Sequence, residues 1–316
     1  MTRADLPGSS TPVQTGPDRT GSGRTASDDV PSVADPLVAA ATTPSQQFAA
    51  RSGRRPFAPV RRVLASVWRL WFSVLLLVLW WVLSANSTST FFPPLRDIVT
   101  QLWELWVVGD ARTQLWSSLE HFAIGYALAG VVGVLLGALL WKFARVGDAV
   151  SPVLYFVYVI PTAALLPAIM AIMGIGASMQ ITIIVLAALW PTLLNTLDGM
   201  RGIDPIKLDT AQALHMSAAR TVFTVVLPGA MPQIMAGLRH SLQISVIMMV
   251  VSELVASESG IGFFILEAQQ RFAITDMWTG IIVLAVIGSL LTFLFVLVER
   301  VVLAWYLGAR AVEQKG

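Results

Sequence analysis

The chain has 316 residues, 55% of them hydrophobic and only 13% charged, with a mean hydropathy of +0.71. Soluble domains carry roughly a quarter charged residues, so the composition excludes an ordinary soluble enzyme and indicates an integral membrane protein. A formal net charge of +2 gives no nucleic-acid footprint, and the absence of cysteine removes disulfides, thiolate metal sites and cysteine nucleophiles.

Residues 1–50, rich in Ser, Thr, Ala, Gly, Pro and Asp without an apolar period, read as a disordered cytoplasmic tail. Residues 51–66 form a basic juxtamembrane segment. Arg51, Arg54, Arg55, Arg61, Arg62 and Arg69 lead straight into hydrophobic sequence, where they hold the tail inside rather than bind nucleic acid. A membrane domain is expected over 67–305, with a short cytoplasmic tail at 306–316.

Six spans are expected, each needing about 20 mostly apolar residues. They lie near Val67–Ala85, Phe122–Trp141, Val150–Met173, Met179–Leu197, Ala236–Ala256 and Met277–Val298. The third is interrupted by Pro152, Pro161 and Pro167, and the fourth contains Pro191. Proline removes a backbone donor and bends a helix, and such bends in lipid are tolerated where neighbours or a water-filled path satisfy the freed carbonyls. Pro161 and Pro191 therefore mark spans that line a path. In the second span Gly125, Gly130, Gly133 and Gly137 recur, the last two as GVLLG, a small-residue pattern that favours close helix contact within the chain, with an oligomer contact as the second reading.

With the N-terminus inside, fifteen Lys/Arg from Arg51 onward fall on inner segments against three outside (Arg96, Arg112 and Arg271). That asymmetry puts both termini in the cytoplasm. It also puts Leu208–Pro228 there, a polar interruption carrying Asp209, Gln212, His215 and Arg220. Its periodicity predicts two short helices joined by a turn at Leu214–Ser217, with Pro228 closing the second. Such a hairpin offers one face to a partner, or is simply a helical loop.

Polar residues within spans are candidates for a translocation path, because placing them in lipid is costly. Asn195 lies at the inner end of span four. Gln243 lies early in span five and Glu253 near its outer end, ten residues apart and differing by roughly 80° around a helix of 3.6 residues per turn. Interhelical hydrogen bonding is the competing reading for Asn195 and Gln243, and a headgroup position for Glu253. There is no phosphate-binding GxxxxGK[ST] run, and GIGFF at 260–264 reads as a turn. His121, His215 and His240 have no metal-ligand spacing. An intramembrane serine protease would need Ser178, for which no activating histidine is evident.

In combination these segments resemble one family. LDTAQALHMSAARTVFTVVLPGAMPQIMAGLR at 208–239 is similar to the EAA loop of binding-protein-dependent ABC importer permeases. SLEHFAIGYALAG at 118–130, VIPTAALLP at 159–167, WPTLLNTLDGMR at 190–201, SELVASESGIGFFI at 252–265 and ERVVLAW at 299–305 resemble its nitrate/sulfonate/taurine branch. The resemblance implies an all-α polytopic membrane protein of the type I importer class, with a cytoplasmic coupling loop at 206–228. It implies a bacterial cell-membrane pore for a small anionic solute, built as a homodimer or pseudo-dimer in lipid. A cytoplasmic ABC ATPase dimer would hold ATP and Mg, this chain binding no cofactor, and an extracytoplasmic solute-binding protein would deliver substrate. By position Asp209 stands for the family's Glu, Thr210 and Ala211 for two alanines, His215 for the turn glycine, and Leu227 and Pro228 for the closing pair. An ATP-independent channel or secondary transporter is the alternative.

Overall fold

The computed structural model describes residues 71–72 and 74–306. The expected tail at 1–50, the basic segment at 51–66, the start of the first span and residues 307–316 lie outside the described residues. Within them the first expected span is represented by an apolar helix, α1 (Val74–Ser84). Helix α2 (Leu95–Leu102) continues into a π turn (Trp103–Val108) and precedes α3 (Arg112–Lys142). Then come α4 (Ala144–Val159), a 3-10 turn (Thr162–Leu165) and α5 (Leu166–Met173). Helix α6 (Ala177–Arg201) follows, then the short α7 (Pro205–Ala213), the long α8 (Ala218–Val255), α9 (Ile261–Gln270) and α10 (Ile274–Val302).

Among the described residues four helices, α3, α6, α8 and α10, are long and apolar enough to cross a membrane, and the bent α4–α5 pair makes a fifth crossing if counted as one. The third expected span is thus broken, by 79° at Ile160–Pro161. Pro161 is extended, and Pro167 sits in the first turn of α5, where a missing N–H costs nothing. Pro152 stays inside α4.

Helix α6 is the axle of the bundle. Its Met179, Ile183 and Ile184 are fully buried, and they share a core with Phe122 of α3 and with Met235, Leu242 and Met249 of α8. Helix α3 runs parallel to it with glycines in register. A Cβ added at Gly125, Gly133 or Gly137 would lie 2.7, 2.8 and 2.7 Å from side-chain atoms of Ile184, Thr192 and Thr196. The spacing of eight and four residues repeats on both helices. The small-residue stripe of the second span is therefore spent inside the chain. Gly130 alone among the four turns away, towards Leu238.

Helix α8 runs antiparallel on the other side of α6. Gly237 lies against Asn195 and the Pro191 carbonyl, while the Ser241 hydroxyl reaches both Thr192 Oγ1 (2.5 Å) and the Ala188 carbonyl (2.7 Å). Without a hydrophobic force between helices in lipid, such close approach and hydroxyl bonding supply the adhesion.

The bundle has two distinct ends. At one, Arg201 pairs with Asp148 (2.6 Å), Gly229 rests on Ile203, and Arg239 pairs with Glu299. At the other, the Trp106 indole N–H donates to Thr279 (3.0 Å), and the Gln180 amide donates to Ser257 (2.5 Å). The α7 hairpin belongs to the first end, which carries most of the bundle's basic residues.

Candidate translocation path and coupling hairpin

The hairpin begins at a cap. Asp204 accepts from the Ile206 N–H (2.9 Å), and Pro205 opens α7 with its φ already suited to a helix. It turns through a Schellman motif: the Met216 N–H reaches the Ala211 carbonyl (3.0 Å) and the His215 N–H reaches Gln212 (2.8 Å). His215 holds φ +51°, the left-handed conformation for which glycine is the usual residue. The sequence substitutes the side chain but keeps the turn. Ser217 then caps the second arm by accepting from the Arg220 N–H (3.4 Å).

The second arm does not end at Pro228, contrary to the sequence expectation. It passes through a π turn at Val222–Val226 and runs on as α8. Pro228 falls in the first turn after the π segment, where the wider turn accommodates a missing donor and keeps the ring clear of the preceding carbonyl. Arm and span are one rod, whereas α6 is separated from α7 by the bend at Gly202–Asp204.

Asp209 and Thr210 are exposed on α7, Asp209 in the middle of the helix and not at its start. Ala211 is 3% exposed and packs inward, while Leu227 and Pro228 are half-buried. The free face of the hairpin carries large apolar side chains: Ile206, Leu214 and Phe223 are 71%, 69% and 68% exposed.

The polar span residues divide. Asn195 donates to the Pro191 carbonyl (2.7 Å) and accepts from the Gln233 amide (2.8 Å), so it ties α6 to α8 at the edge of the bundle. Pro191 is buried in α6, and Pro161 is exposed at the break of the third span. Gln243 is exposed, but Glu253, nearer the other end of the same helix, is 1% exposed. Glu253 accepts from the Gly262 N–H (2.8 Å) and packs against Gly260, whose φ of +115° makes the turn into α9. It holds the 256–260 loop and shares no open surface with Gln243. Ser118 and Gln114 fasten the same loop through the N–H groups of Ile261 (2.8 Å) and Gly260 (2.7 Å).

Residues not among the sequence candidates join Gln243 on the exposed side. Gln233, Ala236, His240, Gln243 and Ile247 are all exposed on α8 at three- and four-residue spacing, the signature of one helix face. The Tyr158 hydroxyl of α4 lies 3.2 Å from His240 Nε2, and the Tyr155 hydroxyl donates to Asp198 (3.0 Å). The spacing of Gln233, His240 and Gln243 was the available cue.

Comparison with known proteins agrees with this architecture. Residues 129–305 match the family described as binding-protein-dependent transport system inner membrane component. SsuC of Bacillus subtilis (strain 168), a permease protein assigned to aliphatic sulfonate transport, is 32% identical over 62% of this chain and 71% of its own length. The nitrate import permease protein NrtB of Synechocystis is 30% identical over 60% of this chain and 69% of its own. The taurine transport system permease protein TauC of Escherichia coli (strain K12) is 28% identical over 78% and 91% respectively. In fold, the chain resembles one from a structure of inward-facing conformations of the MetNI methionine ABC transporter. The TM-score is 0.55 at 20% identity, over 63% of this chain and 97% of that one. The chain belongs to the inner-membrane components of binding-protein-dependent transport systems, and so is a multi-pass permease subunit of an ABC importer and not an enzyme.

Proposed function

We propose that this chain forms half of the pore of an ATP-driven importer for a small oxyanion of the sulfonate or nitrate kind, with a second copy completing the pore. Its hairpin lies in the cytoplasm, as do both termini, with 1–50 a tail and 51–66 a basic anchor at the lipid surface. A cytoplasmic ABC ATPase dimer holds ATP and Mg and receives the hairpin. An extracytoplasmic binding protein loads the opposite face. Asp209, Thr210 and His215 meet the ATPase, Ala211 packs the hairpin from within, and Leu227 and Pro228 join it to the span. Asn195, Gln243, Pro161 and Pro191 border the path, and Glu253 secures the loop at its outer end.

One observation carries this reading: the exposed apolar hairpin face, rigidly continuous with a span through the π turn. Fully burying a large apolar side chain contributes about 1.5–3 kcal/mol, so covering Ile206, Leu214 and Phe223 supplies a docking core. A displacement of that face is transmitted into α8, and alternating access follows when the nucleotide states of the ATPase favour different positions of the rod.

The test is co-purification of the full chain with its ABC ATPase. The Asp209→Arg/Leu214→Arg variant loses the ATPase while inserting and melting as the parent does. Retention of the ATPase at parental levels would overturn the docking assignment.

A further inference from the structure

We propose that the inner half of the exposed α8 face, centred on His240, is the solute-contact site of the path, reading an oxyanion through uncharged hydrogen-bond donors; this rests on the transport reading above. The depth of the face comes first. Gly288, the midpoint of the 29-residue apolar α10, lies beside Val246 of α8 (3.6 Å from an added Cβ to Cγ1). At 1.5 Å per residue, His240 is about 9 Å and Gln243 about 4–5 Å to the hairpin side of that level. Both fall within a hydrocarbon half-thickness of about 15 Å.

Polar side chains at that depth, exposed on the surface of the chain, belong against water or protein and not against lipid. The contrast within the molecule is direct. The large exposed side chains of α10 around the same level, Val286, Leu290 and Phe293, are apolar, and the exposed polar residue there is the small Ser289. On α8 the polarity is also confined to one half. Gln233, His240 and Gln243 lie below the midplane, while Ile247 and Val255 are exposed above it. A path wetted from the hairpin side up to Gln243 and dry beyond has the form of a hydrophobic seal at its outer end.

The chemistry then selects the solute class. Sulfonate and nitrate oxygens only accept hydrogen bonds, and amide, imidazole and phenol groups can donate to them. The one Lys or Arg within 233–247, half-buried Arg239, is neutralised by its pairing with Glu299. Transport requires a site that binds and then lets go, and neutral donors do so where a fixed cation would retain the anion. Asn195 orients Gln233 through its amide contact, and the Tyr158 hydroxyl bonds His240 Nε2. Solute entry exchanges the tyrosine for an oxyanion oxygen.

The chain has no native cysteine, so single cysteines report directly. Gln233→Cys, His240→Cys and Gln243→Cys, in the full complex in inside-out vesicles, are treated with a membrane-impermeant, sulfonate-bearing methanethiosulfonate. Val286→Cys, Leu290→Cys and Phe293→Cys serve as lipid-facing controls. The face is expected to label and the controls not, and millimolar taurine or nitrate slows labelling at 233 and 243 while chloride does not. In uptake assays with taurine and nitrate, His240→Leu lowers transport about tenfold, the equivalent of one lost hydrogen bond, and His240→Gln restores most of it. Labelling without protection by either oxyanion, together with parental uptake in His240→Leu, overturns the solute site and leaves the pore reading standing. An unlabelled face, or equal labelling of face and controls, overturns both.

Discussion

Replacing the glycines of α3 tests how the bundle is held together. An alanine Cβ at Gly133 meets Thr192 Cβ at 2.8 Å and the Leu189 carbonyl at 3.2 Å; at Gly137 it meets Thr196 Cβ at 2.7 Å and the Leu193 carbonyl at 2.9 Å. Backbone oxygens cannot swing away, so α3 and α6 must separate by about 1 Å, which forfeits a quarter to a half of each dispersion well along the seam. Overpacking of this kind costs about 1–3 kcal/mol, partly offset by the roughly 1 kcal/mol better helix propensity of alanine. Gly130 differs, because its Cβ meets only the flexible end of Leu238 at 3.3 Å. Gly130→Ala is therefore neutral or stabilising, while Gly133→Ala and Gly137→Ala lower Tm. Their double variant is less than additive, since a single separation of the helices relieves both clashes. At about 2–4 °C per kcal/mol, thermal unfolding of the purified chain in detergent resolves the order. A Tm lowered more by Gly130→Ala than by Gly133→Ala would refute the in-register packing and move the glycine contact to another chain.

Three further outcomes are expected. His215→Val, which forces a β-branched residue to φ +51°, destabilises the turn by about 1–2 kcal/mol and speeds exchange of the Met216 amide, whereas His215→Gly slows it. Pro228→Ala changes stability, read from Tm, by less than about 0.5 kcal/mol, because the π turn before it already accommodates the missing donor, while a proline at buried Met235 costs about 3 kcal/mol or more. Glu253→Ala orphans the buried Gly262 N–H at a cost of about 1–3 kcal/mol, and protease cleavage or hydrogen exchange at 256–260 rises accordingly.

Four of the six expected spans, and a fifth where the bent α4–α5 pair is one crossing, were legible because about 20 apolar residues are needed to cross a bilayer. Span ends were less so. Helix α3 extends ten residues before Phe122, through Glu120 and His121, because polar sequence adds helical turns beyond the hydrocarbon at no cost. Glycine spacing was readable as intrachain contact, but its partner helix was not, since that depends on tertiary register. Pro228 misled because a local rule stops a helix at proline, and the π turn that absorbs it has no sequence mark. Glu253 looked like a path residue on hydropathy alone; its partners, Gly260 and Gly262, lie across a turn whose geometry appears only in three dimensions. His215 was the reverse, since the motif placed a glycine there and the backbone retains the conformation that glycine would take.

ATP-coupled movement of solute through this chain is the property most directly measured. Proteoliposomes holding it with its ABC ATPase, supplied with the binding protein outside, should accumulate labelled taurine or nitrate only when ATP is on the ATPase side, and should stop when Leu214 and Phe223 become arginine. Equal accumulation by the chain alone, driven by an ion gradient and indifferent to ATP, would contradict it.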